Sequence, residues 1–236
     1  MDFNYDIIIY QMGRVGSHSV LQTINSVEHN YKMHHVHALD LSIGNRRTKL
    51  PLKDQPLSEP TNKSWFLLDR VRQEKRKWRI ISLVRDPVAR NWSAFHCFRE
   101  GKGDFVEDYN HHAIIDWFEI NVEPFFGIDV YSEPFDTNKG WKVYENDRAS
   151  MLLLRTENIS EILPEALLEF AGLAVNDVCC ANRGSWYKTR LKTKAYHSIK
   201  MPEAYVDEMY STRLARHFYT IDELNKFKHK WTLDGP

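Results

Sequence analysis

Apolar residues in this chain fall into short unbroken runs, separated by longer stretches where they recur at helical spacing. Ile7 to Gln11, Arg79 to Arg85 and Met151 to Arg155 are mostly apolar on both faces, the pattern of strands covered by helices on each side. Tyr31 to His37 is a fourth, more polar strand candidate. A helix is expected over Ser17 to Val27, and another over Ser64 to Arg76, where Trp65, Leu68 and Val71 share helical spacing. Pro87 to Arg99 opens with Asp86 as N-cap and Pro87 at the first helical position. Leu163-Pro164 introduces a helix over Glu165 to Ala171, closed by Gly172. Pro202 to Phe218 reads as one helix, and Thr220 then caps Ile221 to Lys230. This alternation predicts a single α/β domain over residues 1–236, three layers deep, with a mainly parallel central sheet flanked by helices. In such sheets ligands bind beyond the carboxyl ends of the strands.

Composition narrows the classes. Of the 236 residues, 42% are hydrophobic and 13% aromatic, enough to build a real core and too apolar for a disordered chain. The 32 basic and 32 acidic residues cancel, which removes a whole-molecule argument for nucleic acid or an anionic membrane. The longest apolar runs, Ile7 to Tyr10 and Met151 to Leu154, fall far short of the roughly 20 residues of a membrane span. The first residues, Met1 to Asp6, lack the basic start and apolar stretch of a signal peptide. The expectation is a cytoplasmic, enzyme-sized domain. Cys97, Cys179 and Cys180 form neither a disulfide framework nor a zinc pattern, and His111-His112 reads as surface or packing. The 40–63 stretch, rich in turn formers, reads either as a substrate-side lid or as a surface excursion.

Two segments carry chemistry. Gly13-Arg14-Val15-Gly16-Ser17-His18-Ser19 follows the first strand and opens a helix, so its backbone N–H groups suit an anion. Gly16 allows close approach, Ser17 and Ser19 add hydroxyls, and Arg14 adds charge. The spacing is not that of a nucleotide-triphosphate P-loop, because Gly13 and Gly16 are too close and no Lys follows. The second segment ends the Arg79 to Arg85 strand: Arg85 is placed for the crevice, and Ser93 lies nearly two helical turns after Pro87. A guanidinium with a hydroxyl suits a phosphomonoester.

Together the two segments resemble the sulfotransferases that use 3′-phosphoadenosine 5′-phosphosulfate (PAPS), of the carbohydrate and bacterial capsular-polysaccharide type. Arg14-Val15-Gly16-Ser17-His18 is similar to that family's Lys-x-Gly-Thr-Thr loop, which grips the 5′-phosphosulfate. Arg85 and Ser93 match its Arg and Ser eight positions apart, which bind the 3′-phosphate, and Ala94 to Phe98 resembles the aromatic tail that follows. Asp116 to Phe118, Phe126 to Tyr131 and His217 to Thr220 are similar to further segments of the family. The resemblance implies a P-loop-like fold and transfer of a sulfuryl group from PAPS to a hydroxyl, releasing PAP, with no metal. It assigns Arg14, Val15, Gly16, Ser17, His18, Ser19, Arg85 and Ser93 to the co-substrate. Arg14 replaces the family's Lys, which keeps the charge but not a role as proton donor.

The base is expected at another strand end. In an extended Met33 to Ala38, His35 and His37 share one face and His34 takes the other; His titrates near neutrality. The His-x-His pair also resembles the strand-end histidines of heparan-type sulfotransferases, so the expectation is His37 as base with His35 as helper or alternative, and the first loop and the Arg85/Ser93 pair at opposite ends of the site. The basic 183–194 segment is similar in character to a loop that closes over the 3′-phosphate in cytosolic sulfotransferases. The acceptor is expected to be a carbohydrate hydroxyl, with Trp117, Phe118, Phe125 and Phe126 as stacking candidates. Two rival readings remain open: a small-molecule kinase with a degenerate P-loop, and an inactive nucleotide- or glycan-binding module.

Overall fold

Five short strands form one sheet in the order β2-β1-β3-β5-β4, where β1 is Ile7–Tyr10, β2 Met33–Val36, β3 Trp78–Val84, β4 Trp141–Glu145 and β5 Ala149–Arg155. The computed structural model describes residues 5–37, 39, 67–99, 105–108, 111–179 and 200–232. The β1/β2, β1/β3 and β3/β5 pairs are parallel and β4 runs antiparallel to β5. The fold is therefore α/β, with a mostly parallel sheet flanked by helices. Every residue of β1 and β5 is buried, which is why these strands show no polar alternation.

Strand β4 is the element the apolar runs did not mark. It is an edge strand in which Trp141 and Tyr144 are buried, Lys142 is half-buried and Glu145 is exposed, and Gly140 turns into it with a φ of 73°. The other strands differ from expectation by a residue or two at their ends.

Helix α1 (Ser17–Asn25) follows β1, and residues 67–73 form α2 before β3. Helix α3 (Pro87–Arg99) follows β3 with Asp86 as its cap, Oδ1 accepting from the Val88 N–H at 2.9 Å. Short helices α4 (Phe105–Asp108), α5 (Trp117–Asn121) and α6 (Glu123–Phe126) lead to β4. Helix α7 begins at Ile159, earlier than expected, and carries Pro164 inside it. The carbonyl that Pro164 leaves without a helical donor belongs to exposed Ser160, where water can serve it. The expected 202–218 helix is two, α8 (Glu203–Ser211) and α9 (Arg213–Phe218), because Thr212 turns extended and caps α9. Helix α10 (Ile221–Trp231) starts with a full capping box between Thr220 and Glu223.

The sheet core runs from Ile7 through Phe218, and a second apolar cluster ties α3 to α8 and α10 through Trp92, Tyr205, Met209 and Trp231. Trp117, Phe118, Phe125 and Phe126 all lie in the sheet core, at most 6% exposed. That overturns their expectation as sugar-stacking residues: α5 and α6 bury all four, turning Trp117 and Phe126 onto Tyr10 and Phe118 onto Phe218. Among the described residues no helix is long and apolar enough to cross a membrane.

Candidate functional site

The carboxyl ends of β1, β3 and β5 converge on the loop between β1 and α1. Arg14 adopts φ 75° and Gly16 φ 86°, and Gly16 is the N-cap of α1. A non-glycine residue held in the left-handed region is strained, and such strain concentrates at functional sites. Gly16 is further constrained because a Cβ would stand 3.3 Å from Thr156 Cγ2.

Successive loop carbonyls are gripped by three other elements. Gly13 O accepts from Arg90 Nε at 2.9 Å, Arg14 O from Arg85 Nη1 at 3.0 Å, and Val15 O from Thr156 Oγ1 at 2.6 Å. In a trans peptide the carbonyl and the next N–H point opposite ways. Fixing these carbonyls therefore turns the N–H groups of residues 14–16 to the other side, beside the first turn of α1, where Ser19 N–H bonds the Gly16 carbonyl at 2.9 Å and the N–H groups of Ser17 and His18 lack helical acceptors. The result is an anion cradle of backbone donors.

Arg14 reaches Ser93 directly, Nε donating to Oγ at 3.1 Å. The first loop and the Arg85/Ser93 pair, expected at opposite ends of a site, are thus in contact, because α3 packs its first two turns against the loop. Asp86 and Glu157 mount this arrangement. Asp86 is 3% exposed and its carboxylate accepts from Tyr210 Oη at 3.1 Å and Trp231 Nε1 at 3.0 Å. Glu157 accepts from the Asp86 N–H at 2.8 Å and from Tyr219 Oη at 2.9 Å. Although Glu157 touches solvent, the protein closes around it, and this desolvation raises its pKa.

Parallel pairing sets Ile9 beside His35 and Tyr10 beside Val36, which brings His35 and His37 to the same crevice. Their rings meet edge-on at 4.8 Å, while His34 takes the other face and stacks on Tyr5 at 4.5 Å. Gln11, fully buried, joins them: its Nε2 lies 2.9 Å from Ser17 Oγ, 3.1 Å from His35 Nε2 and 2.9 Å from His37 Nδ1. Ser17 Oγ and His35 Nε2 also meet at 2.9 Å. Gln11 Oε1 is buried with no hydrogen-bond partner among the described residues. Burial, then the neighbouring imidazoles His37, His18 and His34, pull His35 down to about 3. His37 is exposed at its outer edge, yet desolvation lowers its pKa as well, with the Gln11 carbonyl opposing and His18, Arg90 and Arg14 assisting. Both imidazoles are neutral at pH 7.

Gln11 and Glu157 were not singled out from the sequence. The only signals were positional, a polar residue closing an apolar strand and a carboxylate two residues past one. His18 packs edge-on to His35 at 5.0 Å, and His111 is a packing residue between Phe105 and Tyr205. The 40–63 and 183–194 segments and Cys180 lie outside the described residues, as do the side chains of Cys97 and Phe98. Among the described residues no group of three or more His, Cys, Asp or Glu is placed to hold a metal ion.

Residues 105–220 match the family model described as "NKWYS: Putative capsular polysaccharide synthesis protein". The matched segment spans just under half of the chain, from α4 to the cap of α10. It contains β4, β5 and Glu157, and it excludes the 11–19 loop, the histidines of β2 and the Arg85/Ser93 pair. No curated protein and no solved structure matches the chain.

Proposed function

We propose that this protein transfers a sulfuryl group from PAPS to a hydroxyl of a glycan during capsular polysaccharide synthesis, releasing PAP. The observation that carries the reading is the bridge from Arg14, in a strained turn at a helix N-terminus, to Ser93 on a second phosphate-suited element. The family match supplies the polysaccharide context.

The residues present fit a doubly phosphorylated nucleotide. The N–H cradle at residues 14–16 and the α1 N-terminus suit one phosphate group, and Arg85 with Ser93 suits another. PAPS supplies an activated sulfuryl group whose S–O bond to phosphate breaks as the acceptor's O–S bond forms. On this reading Arg14 neutralises charge gathering on the departing phosphate. Arg14, unable to give up a proton, acts only as a charge clamp.

His37 takes the acceptor's proton. His37 accepts a proton at Nε2 in the tautomer whose Nδ1–H donates to the Gln11 carbonyl at 3.2 Å, an arrangement that requires the Gln11 side-chain amide to turn its oxygen, not its nitrogen, to Nδ1. His35 is spoken for by Ser17 and Gln11 at its Nε2, so it positions the base and does not replace it.

The test is sulfate transfer from labelled PAPS to capsular glycans, with PAP binding measured alongside. Arg85→Ala should weaken PAP far more than adenosine 5′-phosphosulfate, which lacks the 3′-phosphate. His37→Ala should lower kcat by about 10²–10⁴-fold with PAP affinity kept, and His35→Ala should cost less. Equal losses for both nucleotides, or normal turnover by His37→Ala, would overturn the reading.

A further inference from the structure

Ser17 is shared between the loop and the histidines. It is the first residue of α1 and 4% exposed. Its N–H, beside the cradle, has no helical acceptor, while its hydroxyl turns the other way, 2.9 Å from Gln11 Nε2 and 2.9 Å from His35 Nε2. Gln11 Nε2 in turn stands 2.9 Å from His37 Nδ1. Two contacts of hydrogen-bond length thus separate His37 from the residue that opens the helix. An anion seated at the α1 N-terminus lies within electrostatic reach of a charge on His37.

The groups that bear on His37 come from every element around it. The end of β1 offers the Gln11 carbonyl and amide, β2 offers His35, α1 His18, the loop Arg14 and α3 Arg90. His18, Arg90 and Arg14 all oppose a proton there, and among the described residues that move His37 none is a carboxylate. Arg90 and Arg14 also shape the cradle, the first holding the Gly13 carbonyl at 2.9 Å and the second reaching Ser93. His35 answers to a different set, the imidazoles His37, His18 and His34. His37 is therefore the ring whose proton the cradle's own charges resist, and an oxyanion that neutralises those charges removes the resistance.

The protonated ring has its acceptors in place. Nδ1–H donates to the Gln11 carbonyl at 3.2 Å, and to the Gln11 amide oxygen once that side chain turns it to the ring. Pointed away, that oxygen is buried without a partner among the described residues, so protonation of His37 supplies one. The outer edge of His37 is exposed, which gives water access to the ring.

We propose that oxyanion binding in this crevice is proton-coupled: the anion that occupies the cradle brings a proton from water onto Nε2 of His37. The inference rests on the anion cradle and the base assigned above, and not on which nucleotide carries the anion. An opposite charge nearby raises an imidazole pKa by about 1–3 units, and by linkage the anion then binds the protonated protein about ten- to a thousandfold more tightly than the neutral one. That gain is fully present below the anion-free pKa of His37 and is lost as pH rises through the anion-bound one. In turnover, the proton that His37 takes from the acceptor leaves with PAP.

The test titrates the full chain with inorganic sulfate, a dianion throughout the range, between pH 8 and pH 5.5, by calorimetry in two buffers of different ionisation enthalpy. Sulfate should bind about tenfold or more tightly at the lower pH, with proton uptake read as a buffer-dependent heat. His37→Gln should flatten the dependence and keep most of the affinity at pH 8. His29→Gln, at a histidine ahead of β2 that accepts from the Tyr31 N–H, should titrate like wild type. Affinity that ignores pH, sulfate that fails to bind, or an equal dependence in His37→Gln would overturn the coupling. PAP is titrated in parallel at pH 8. If sulfate binds with a proton through His37 but PAP binds no better than sulfate, the coupling stands and the nucleotide reading fails. If PAP binds tightly while sulfate affinity ignores pH, the nucleotide reading stands and the coupling fails.

Discussion

Replacing Gln11 with glutamate tests the base assignment, because it changes one charge and almost no volume. Gln11 is fully buried and its amide nitrogen lies 2.9 Å from His37 Nδ1 and 3.1 Å from His35 Nε2. In Gln11→Glu a carboxylate oxygen takes that place. An opposite charge in contact raises an imidazole pKa by about 1–3 units, each unit being about 1.4 kcal/mol. His37 starts below its ordinary value, so the acid limb of kcat, which needs neutral His37, should move up by that amount. Stability gives an independent sign. The raised folded-state pKa favours the variant at low pH, and the advantage is lost as pH rises through it. Above that pH the buried carboxylate has no protonated partner and costs several kcal/mol. The variant's melting temperature, relative to wild type, should therefore be least depressed near pH 5 and most near pH 9. The assay is kcat against pH at saturating PAPS, with Gln11→Met as an uncharged control. An acid limb that stays in place while kcat is intact would remove the Gln11–His37 pair from the chemistry.

Three further outcomes follow from the same geometry. Arg14→Ala should lower kcat by about 10²-fold or more, the scale of a transition-state charge contact, with the fold intact by circular dichroism; an unchanged kcat would refute it. Gly16→Ala should destabilise by about 1–2 kcal/mol through its positive φ alone, and more through the 3.3 Å approach to Thr156, read in denaturant melts; an unchanged midpoint would sink the argument. His35 is held at about 3 in the folded protein against 6.5 unfolded, so the unfolded chain binds more protons in that window and stability should fall as pH drops through it. His35→Gln should flatten that slope in melts between pH 6.5 and 4, and an identical slope would show that another group sets it.

The sheet was legible where burial on both faces left no polar alternation, as in Ile7–Tyr10 and Ala149–Arg155. Strand β4 was not, because an antiparallel edge strand with a half-buried Lys142 and an exposed Glu145 shows no clean apolar run and reads like a loop. The break between α8 and α9 carries no glycine or proline; only Thr212 capping Ala215 makes it. In the site, Arg14, Gly16, Arg85 and Ser93 stood out because a turn between strand and helix has a local pattern. The parts of Gln11 and Glu157 depend on which strands lie side by side, and that pairing is absent from local sequence. The aromatics at 117, 118, 125 and 126 show the converse, since composition suggests stacking and only packing decides which way a ring faces.

On the proposed function, the geometry of the loop explains how a chain without a P-loop lysine would present a rigid anion site. A Lys would bring its charge on a flexible stem, with most of its rotamer freedom to lose on binding. Here Arg14 is held at both ends, its backbone by the Arg85 bond to its carbonyl and its guanidinium by Ser93. The strain of its left-handed backbone is sustained by neighbours that are themselves fixed, for Arg90 is buried and bonded to Asn91, which in turn donates to the His111 carbonyl and Tyr205. Asp86 and Glu157 then lock α3 and the C-terminal helices to the same point. The helices beyond α7 therefore bear on the loop through α3, since Trp231 and Tyr219 hold the carboxylates that set where α3, and with it Ser93, begins.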